Sequence, residues 1–254
     1  MSNVTSETAF EDSIEHHLLE CGWRRCISGS YNRKLGVDPG ELAAFLQASQ
    51  PDEWDLLVQR LGGVEAATEK VAAQVASQID LRGTVAVLRG VVKMHGVTFR
   101  VAFFAPANGL TRSLWDWYGA NRSTVVRQLH HSESNPADSL DLVLLVNGIP
   151  TATAELKNPL THQSVQDAMK QYQQDRNPTD LIFRARALVH FAVDPHQVYM
   201  TTKLAGARTR FLPFNQGSGG AGRKGGAGNP HNPGGYDTAY LWENAEAALA
   251  YFEA

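Results

Sequence analysis

Residues 140–157 read LDLVLLVNGIPTATAELK. The stretch is almost wholly apolar or small, yet Asp141 stands near its start and Glu155 and Lys157 stand at its end. Burying a charge without a partner is costly, so such charges are normally paired or bound to a metal. Asn147-Gly148 marks a turn between two strands. Side chains alternate along a strand, so Glu155 and Lys157 project from one face and Leu156 from the other. Whether Asp141 shares the first face depends on the turn. A two-residue turn at Asn147-Gly148 puts Asp141 opposite Ala154, with Glu155 facing away. A three-residue turn over Asn147-Gly148-Ile149, with Gly148 helping to form a bulge, puts Asp141 opposite Glu155. An odd-length turn or a bulge is therefore the expectation.

On a shared face the two carboxylates repel, and a cation is needed to keep both ionised. Magnesium suits them: it prefers oxygen ligands, uses one or two carboxylates and completes its shell with water and phosphate. The backbone carbonyl of Leu156 is a further candidate ligand. Lys157 would orient a metal-activated water or offset charge on a phosphate. The set suits phosphodiester hydrolysis. On its own the pattern D-x13-E-x-K has many chance matches, and a plain surface hairpin with rim salt bridges would also carry it. The position of these charges, interrupting an apolar hairpin just before a helix, favours the site.

The chain has 254 residues, 43% hydrophobic and 19% charged, with a net charge of -3. This is the profile of a globular protein with a sizeable core, and a DNA-binding surface would have to come from local clustering. Cys21 and Cys26 make no metal-binding pattern, and a reduced, cytoplasmic setting is expected. The first residues, MSNVTSETAFEDS, do not form a signal peptide, and no apolar run reaches the length of a membrane span.

Residues 8–23 read as a helix with Phe10, Ile14, Leu18 and Cys21 on one side, capped by Ser6 or Thr8 and ended by Gly22. The segment CISGSYNRKLGVDP reads as a loop, and residues 41–81 as three helices. TVAVLRGVVKMHGVTFRVAFF predicts two strands turning at His95-Gly96. Residues 105–137 look irregular, with Trp115, Trp117 and Tyr118 expected to pack over a sheet. A helix over NPLTHQSVQDAMKQYQQDRNP follows the central hairpin, then a buried strand ALVHFAVD and a hairpin from VYMTTKLAG and RTRFLPFN. Residues 217–235 are dominated by glycine and read as a mobile loop, not a phosphate loop; a final helix is expected after them. This order predicts an α/β fold with a mixed central sheet flanked by helices and an N-terminal helical section, residues 1–82 and 83–254 together forming one domain.

The stretches LDLVLLVNGIPTATAELKNPLTHQSVQDAMKQYQQDR, ALVHFAVD, VYMTTKLAG, TRFLPFNQG and AFEDSIEHHLLECGW closely resemble the N-terminal region of type I restriction endonuclease R (HsdR) subunits, over about residues 8–243. The resemblance implies the PD-(D/E)xK nuclease fold and magnesium-dependent cleavage of unmodified double-stranded DNA. By it Asp141 is the motif aspartate and Glu155 and Lys157 are the ExK pair. Glu11 matches the acidic residue often found on the first helix, where it would hold a water or a second metal. Leu140 stands where the motif has proline, and Asp138, after Pro136-Ala137, ranks second as the aspartate. Relatives carry QxxxY on the next helix, thought to contact DNA. Here Tyr172 is present, Ala168 occupies the glutamine position and Gln171 adjoins the tyrosine. Full R subunits continue into an ATP-driven translocase. This chain has no Walker A motif, so ATP dependence would belong to a motor missing from it, and modification and specificity subunits would be its partners.

Arg184, Arg186, Lys203, Arg208, Arg210, Arg223 and Lys224 fall in a region whose sole acid is Asp194, and would neutralise phosphates if gathered on one surface. Glu15 reads as a solvated helix position. The histidines lack ligand spacing, and His190 reads as a core residue. Two further functions stay open at this point: a catalytically silent DNA-binding or subunit-docking module, and another nuclease of the superfamily such as a junction resolvase.

Overall fold

The computed structural model describes residues 7–158, 163–195 and 197–214. The glycine-rich stretch, the helix expected after it, Ser6, Arg223 and Lys224 lie outside the described residues.

Helix α1 (Glu7–Glu20) buries Phe10, Ile14 and Leu18, spaced one turn apart. It ends as expected at Gly22, whose φ is 91°. There the Trp23 N–H donates to the Leu18 carbonyl and the Gly22 N–H to that of Leu19, satisfying carbonyls the helix leaves open. Thr8 lies inside this helix and does not precede it. Strand β1 (Arg24–Cys26) follows, just ahead of the expected loop and sharing only Cys26 with it.

The helical section is as predicted: α2 (Pro39–Ser49), α3 (Pro51–Leu61) and α4 (Val64–Arg82). The segment TVAVLR, expected as a strand, is a helix, α5 (Thr84–Arg89). Its β-branched residues prefer strands only weakly, and burial of Val87 and Leu88 in the core shared with α2, α3 and α4 overrides that preference. The hairpin at His95-Gly96 exists but is short: β2 (Val92–Met94) and β3 (Val97–Phe99) form a separate two-stranded sheet that packs on the same core. Trp115 and Trp117, on α6 (Arg112–Gly119), do not cover the main sheet. They stay about 40% and 41% exposed, and Trp117 stacks on Phe103 with ring centroids 5.5 Å apart.

The main sheet has seven strands. With β4 (Ser123–His130), β5 (Ser139–Val146), β6 (Ile149–Leu156), β7 (Val189–Val193), β8 (Val198–Thr201) and β9 (Leu212–Pro213), its order is β1-β4-β5-β6-β7-β8-β9. The β1/β4 and β6/β7 pairs are parallel and the others antiparallel, so the sheet is mixed, as expected. Strand β4 lies inside the stretch read as irregular. Both its faces are covered: Val125 packs under α1, and Val126 and Leu129 pack on the opposite side with Tyr172 and Ile182. A strand buried on both faces loses the apolar/polar alternation that would announce it. On that second side lie α7 (Val165–Lys170), a π-helical turn (Gln171–Asp175) and α8 (Leu181–Ala185), where one continuous helix was expected for the first two.

The β5–β6 register is the feature that positions the site. Asn147 and Gly148 have φ of 52° and 79°, and Val146 pairs with Ile149 across a tight two-residue turn. Leu145 then pairs with Pro150, but Leu144 pairs with Ala152, so Thr151 is an extra, bulged residue. Pro150 has no N–H to give the ladder, which makes the bulge cheap at this point. The Thr151 hydroxyl donates instead to the Leu144 carbonyl at 3.2 Å. Past the bulge, Leu142 pairs with Ala154. The next residues along, Asp141 and Glu155, therefore stand opposite one another. The expected bulge is present, three residues beyond Gly148 and not within the turn.

The hairpin tip is held tightly. The Asp38 N–H donates to the Gly148 carbonyl at 2.7 Å, and the buried Asn147 amide donates to the Val101 carbonyl at 2.8 Å. A methyl group at Gly148 would lie 2.3 Å from the Asp38 carbonyl oxygen. Gly148→Ala should therefore lower the unfolding free energy by about 1–3 kcal/mol. Gly119→Ala, at an open position, should change it by less than about 1 kcal/mol. Urea denaturation of both variants reads the difference.

Candidate active site

Four segments converge at the open end of the β5–β6 hairpin: the middle of α1, the end of β4, the start of β5 and the end of β6. Asp141 lies on β5 and is 8% exposed; Glu155 on β6 is fully buried. One Asp141 oxygen accepts the Leu156 N–H at 2.7 Å, which ties the aspartate to the strand carrying the glutamate. Its other oxygen accepts from the Gln128 amide at 3.2 Å. The same amide donates to Glu11 at 2.9 Å, and Ser139 donates to its carbonyl at 2.9 Å. Gln128 thus bridges Glu11 and Asp141. Its φ of 48° is unusual for a residue other than glycine, and such backbone costs about 1–3 kcal/mol, which sites of function tend to carry.

Glu155 is held asymmetrically. Arg176, just past the π turn, places Nε and Nη2 each 2.7 Å from Oε1. Oε2 is buried with no hydrogen-bond partner among the described residues. Burial above all, and then the neighbouring Asp141 charge, push the Glu155 carboxyl well above the usual carboxylate range, against the pull of Arg176 and Lys157. Burial also raises Glu11, with Asp141 adding to it; Arg127 and Gln128 pull the other way. Lys157 is 8% exposed and its backbone N–H donates to the Val193 carbonyl at 2.9 Å, holding the end of β6 against β7.

Arg127 of β4 lies over α1, bonded to Glu11 at 2.9 Å and Asp12 at 2.5 Å, with Glu15 at 3.4 Å. Arg25 grips Glu15 with two bonds of 2.8 Å. Glu15 is thus 3% exposed and ion-paired, contrary to the solvated position expected of it. Asp138 accepts from the Asn135 side chain at 2.8 Å and caps the turn before β5.

Of the sequence-predicted site residues, Asp141, Glu155 and Lys157 come together, and Glu11 joins them through Gln128. Arg184, Lys203, Arg208 and Arg210 are exposed, and Gln171 is half-buried. Two placements differ from expectation. Tyr172 is fully buried, and its hydroxyl sits 2.8 Å from that of Thr153. Arg186 is 1% exposed and bonds Asp80 at 2.6 Å and the Leu35 carbonyl at 2.9 Å. Neither side chain reaches a surface where DNA could touch it. Arg127, Gln128 and Arg176 were not anticipated. The first two lie on the strand hidden in the irregular stretch; Arg176 lies inside the segment read as one continuous helix, with nothing in the sequence to mark it.

Among the described residues no group of three or more His, Cys, Asp or Glu is disposed to hold a metal. Magnesium does not require one, since water and phosphate oxygens fill most of its shell. An opposed carboxylate pair with one orphaned, buried oxygen fits that donor set.

The model of the family of type I restriction enzyme R protein N termini matches residues 6–209, and the chain belongs to this family. Its seven-stranded mixed sheet with N-terminal helices accords with that family's nuclease-like fold. Membership implies a place in a restriction–modification complex acting on DNA. No curated protein matches the chain. Among the described residues no helix is long and apolar enough to cross a membrane.

Behind the site, His190 of β7 is buried between Thr153, Tyr172 and Phe183, and burial lowers its pKa from 6.5 to about 3. The unfolded chain therefore binds a proton below pH 6.5 that the folded chain refuses. The stability this neutral ring contributes is present above pH 6.5 and is lost as pH falls towards the folded value. Between pH 7 and pH 5 the loss should be about 2 kcal/mol. Urea unfolding of wild type and His190→Asn at both pH values should show a decline smaller by that amount in the variant.

Proposed function

We propose that this chain is a magnesium-dependent endonuclease domain of a type I restriction enzyme R subunit, hydrolysing phosphodiester bonds of double-stranded DNA. The observation that carries the reading is the opposition of Asp141 and Glu155, with Glu155 Oε2 buried and unbonded. Family membership supports it, since restriction nucleases typically use magnesium. Asp141 and Glu155 would hold the ion, with the Leu156 carbonyl as a further oxygen. When bound, it would make a coordinated water acidic and offset charge on the scissile phosphate.

Lys157 would keep a positive charge beside that phosphate and orient the attacking water. Glu11 would act through Gln128, fixing the amide that holds Asp141. The exposed Arg184, Lys203, Arg208 and Arg210 would meet backbone phosphates without reading bases, and Gln171 would lie beside the site. Target choice would belong to the specificity subunit, and ATP use to motor domains of a full R subunit. The Arg176–Glu155 ion pair favours a second reading, in which the same surface is a catalytically silent DNA-binding or docking module.

Nicking of supercoiled plasmid with Mg2+ and with Mn2+ separates the two. Wild type should nick in a metal-dependent way. Glu155→Ala should fall to background, and Lys157→Ala should lose about 100-fold or more. Equal nicking by all three proteins would contradict the proposed site. Metal-binding wild type that binds DNA without nicking would support the silent module.

A further inference from the structure

The proposed metal pair leaves one contact unexplained: the way Arg176 holds Glu155. An arginine that merely neutralises a buried carboxylate usually takes both of its oxygens, one per nitrogen. Arg25 does this with Glu15, Nε to Oε1 and Nη2 to Oε2. Arg176 does not. Both its Nε and Nη2 fall on Glu155 Oε1, and Oε2 is left bare in the interior. The Nη2 group also donates to the Ser139 carbonyl at 2.6 Å. Ser139 is the first residue of the strand that carries Asp141, two positions later. One buried guanidinium thus ties the glutamate of β6 to the backbone of β5, beside the aspartate. The π turn between α7 and Arg176 widens the helix just before the arginine, a distortion often found beside functional sites.

Resting on the metal-site reading proposed above, we infer that Arg176 is a positioning residue for the metal-binding carboxylate. It pins Glu155 by Oε1 and by its anchor on Ser139, and so holds Oε2 in place for a divalent cation shared with Asp141. A side chain that orients a metal ligand without touching the metal commonly sets affinity by 10–100-fold. The rival role is that of a stand-in, a cation that occupies the metal's place and must leave. The two roles predict opposite effects of removing it.

The test is Mn2+ binding by titration calorimetry, with the metal alone, to wild type, Arg176→Lys, Arg176→Gln and Asp141→Asn. Lysine keeps the charge, but one ammonium cannot span both Glu155 and the Ser139 carbonyl as the guanidinium does. Positioning predicts affinity about 10–100-fold weaker in Arg176→Lys and at least as weak in Arg176→Gln. Thermal unfolding in EDTA and far-UV circular dichroism serve as fold controls. If Arg176→Gln does not fold, Arg176→Lys decides. Unchanged or tighter Mn2+ binding in a folded Arg176 variant overturns the inference and leaves the metal site standing. Wild type that binds no Mn2+, or binding indifferent to Asp141→Asn, overturns the metal site itself and the inference with it.

Discussion

Strand side chains alternate with a period of two, so a single inserted residue decides which face of a sheet every later residue joins. In the β5–β6 hairpin that residue is Thr151. Without it the two-residue turn would oppose Asp141 with Ala154 and send Glu155 to the other face. With it the two acids face each other, and the Leu156 N–H is offered to Asp141. The bulge is itself secured from both sides. Pro150 removes the ladder donor next to it, the Thr151 hydroxyl satisfies the Leu144 carbonyl, and the Thr151 carbonyl accepts from Leu188. The reach of Gln128 and of Arg176 to the acids depends on this register.

The charges gathered at this end of the sheet are costly to bury, and each acid has been given a different answer. Glu15 is clamped by Arg25, and Glu11 shares Arg127 with Asp12 and Glu15. Asp141 is held by a backbone N–H and a neutral amide. Glu155, the most deeply buried, is only half satisfied. Buried ion pairs are weak evidence for stability, since apolar residues of similar volume often do as well. A carboxylate oxygen left bare and a glutamine backbone at positive φ accord with the cation site proposed above. The layer beneath is neutral: Tyr172, Thr153 and His190 form a hydrogen-bonded chain behind β6.

Much of this was legible in the sequence, for reasons that can be named. The apolar hairpin with charges only at its ends, the helices of residues 41–81 and the buried strand around His190 all carry strong periodic or compositional signals. The need for an odd register followed from Asp141 and Glu155 alone. Its location did not, although a proline inside a strand is a recognisable mark of a bulge. Strand β4 escaped because burial on both faces erased its alternation, and Arg127 and Gln128 escaped with it. Tyr172 was given a DNA contact by the resemblance to relatives with QxxxY, and Arg186 by its charge within a basic segment; neither signal carries the placement of the side chain. Helix α5 shows the converse, a strand-like composition folded as a helix by the core around it.

The central claim is that Asp141 and Glu155 share one divalent cation through the register set by Thr151. The most direct measurement is anomalous diffraction from crystals of the chain grown with Mn2+. The account predicts an anomalous peak at the open end of the β5–β6 hairpin, within bonding distance of a carboxylate oxygen of each acid, with Glu155 Oε1 still held by Arg176. A peak elsewhere, or a manganese bound by Asp141 while Glu155 stays turned away, would contradict it.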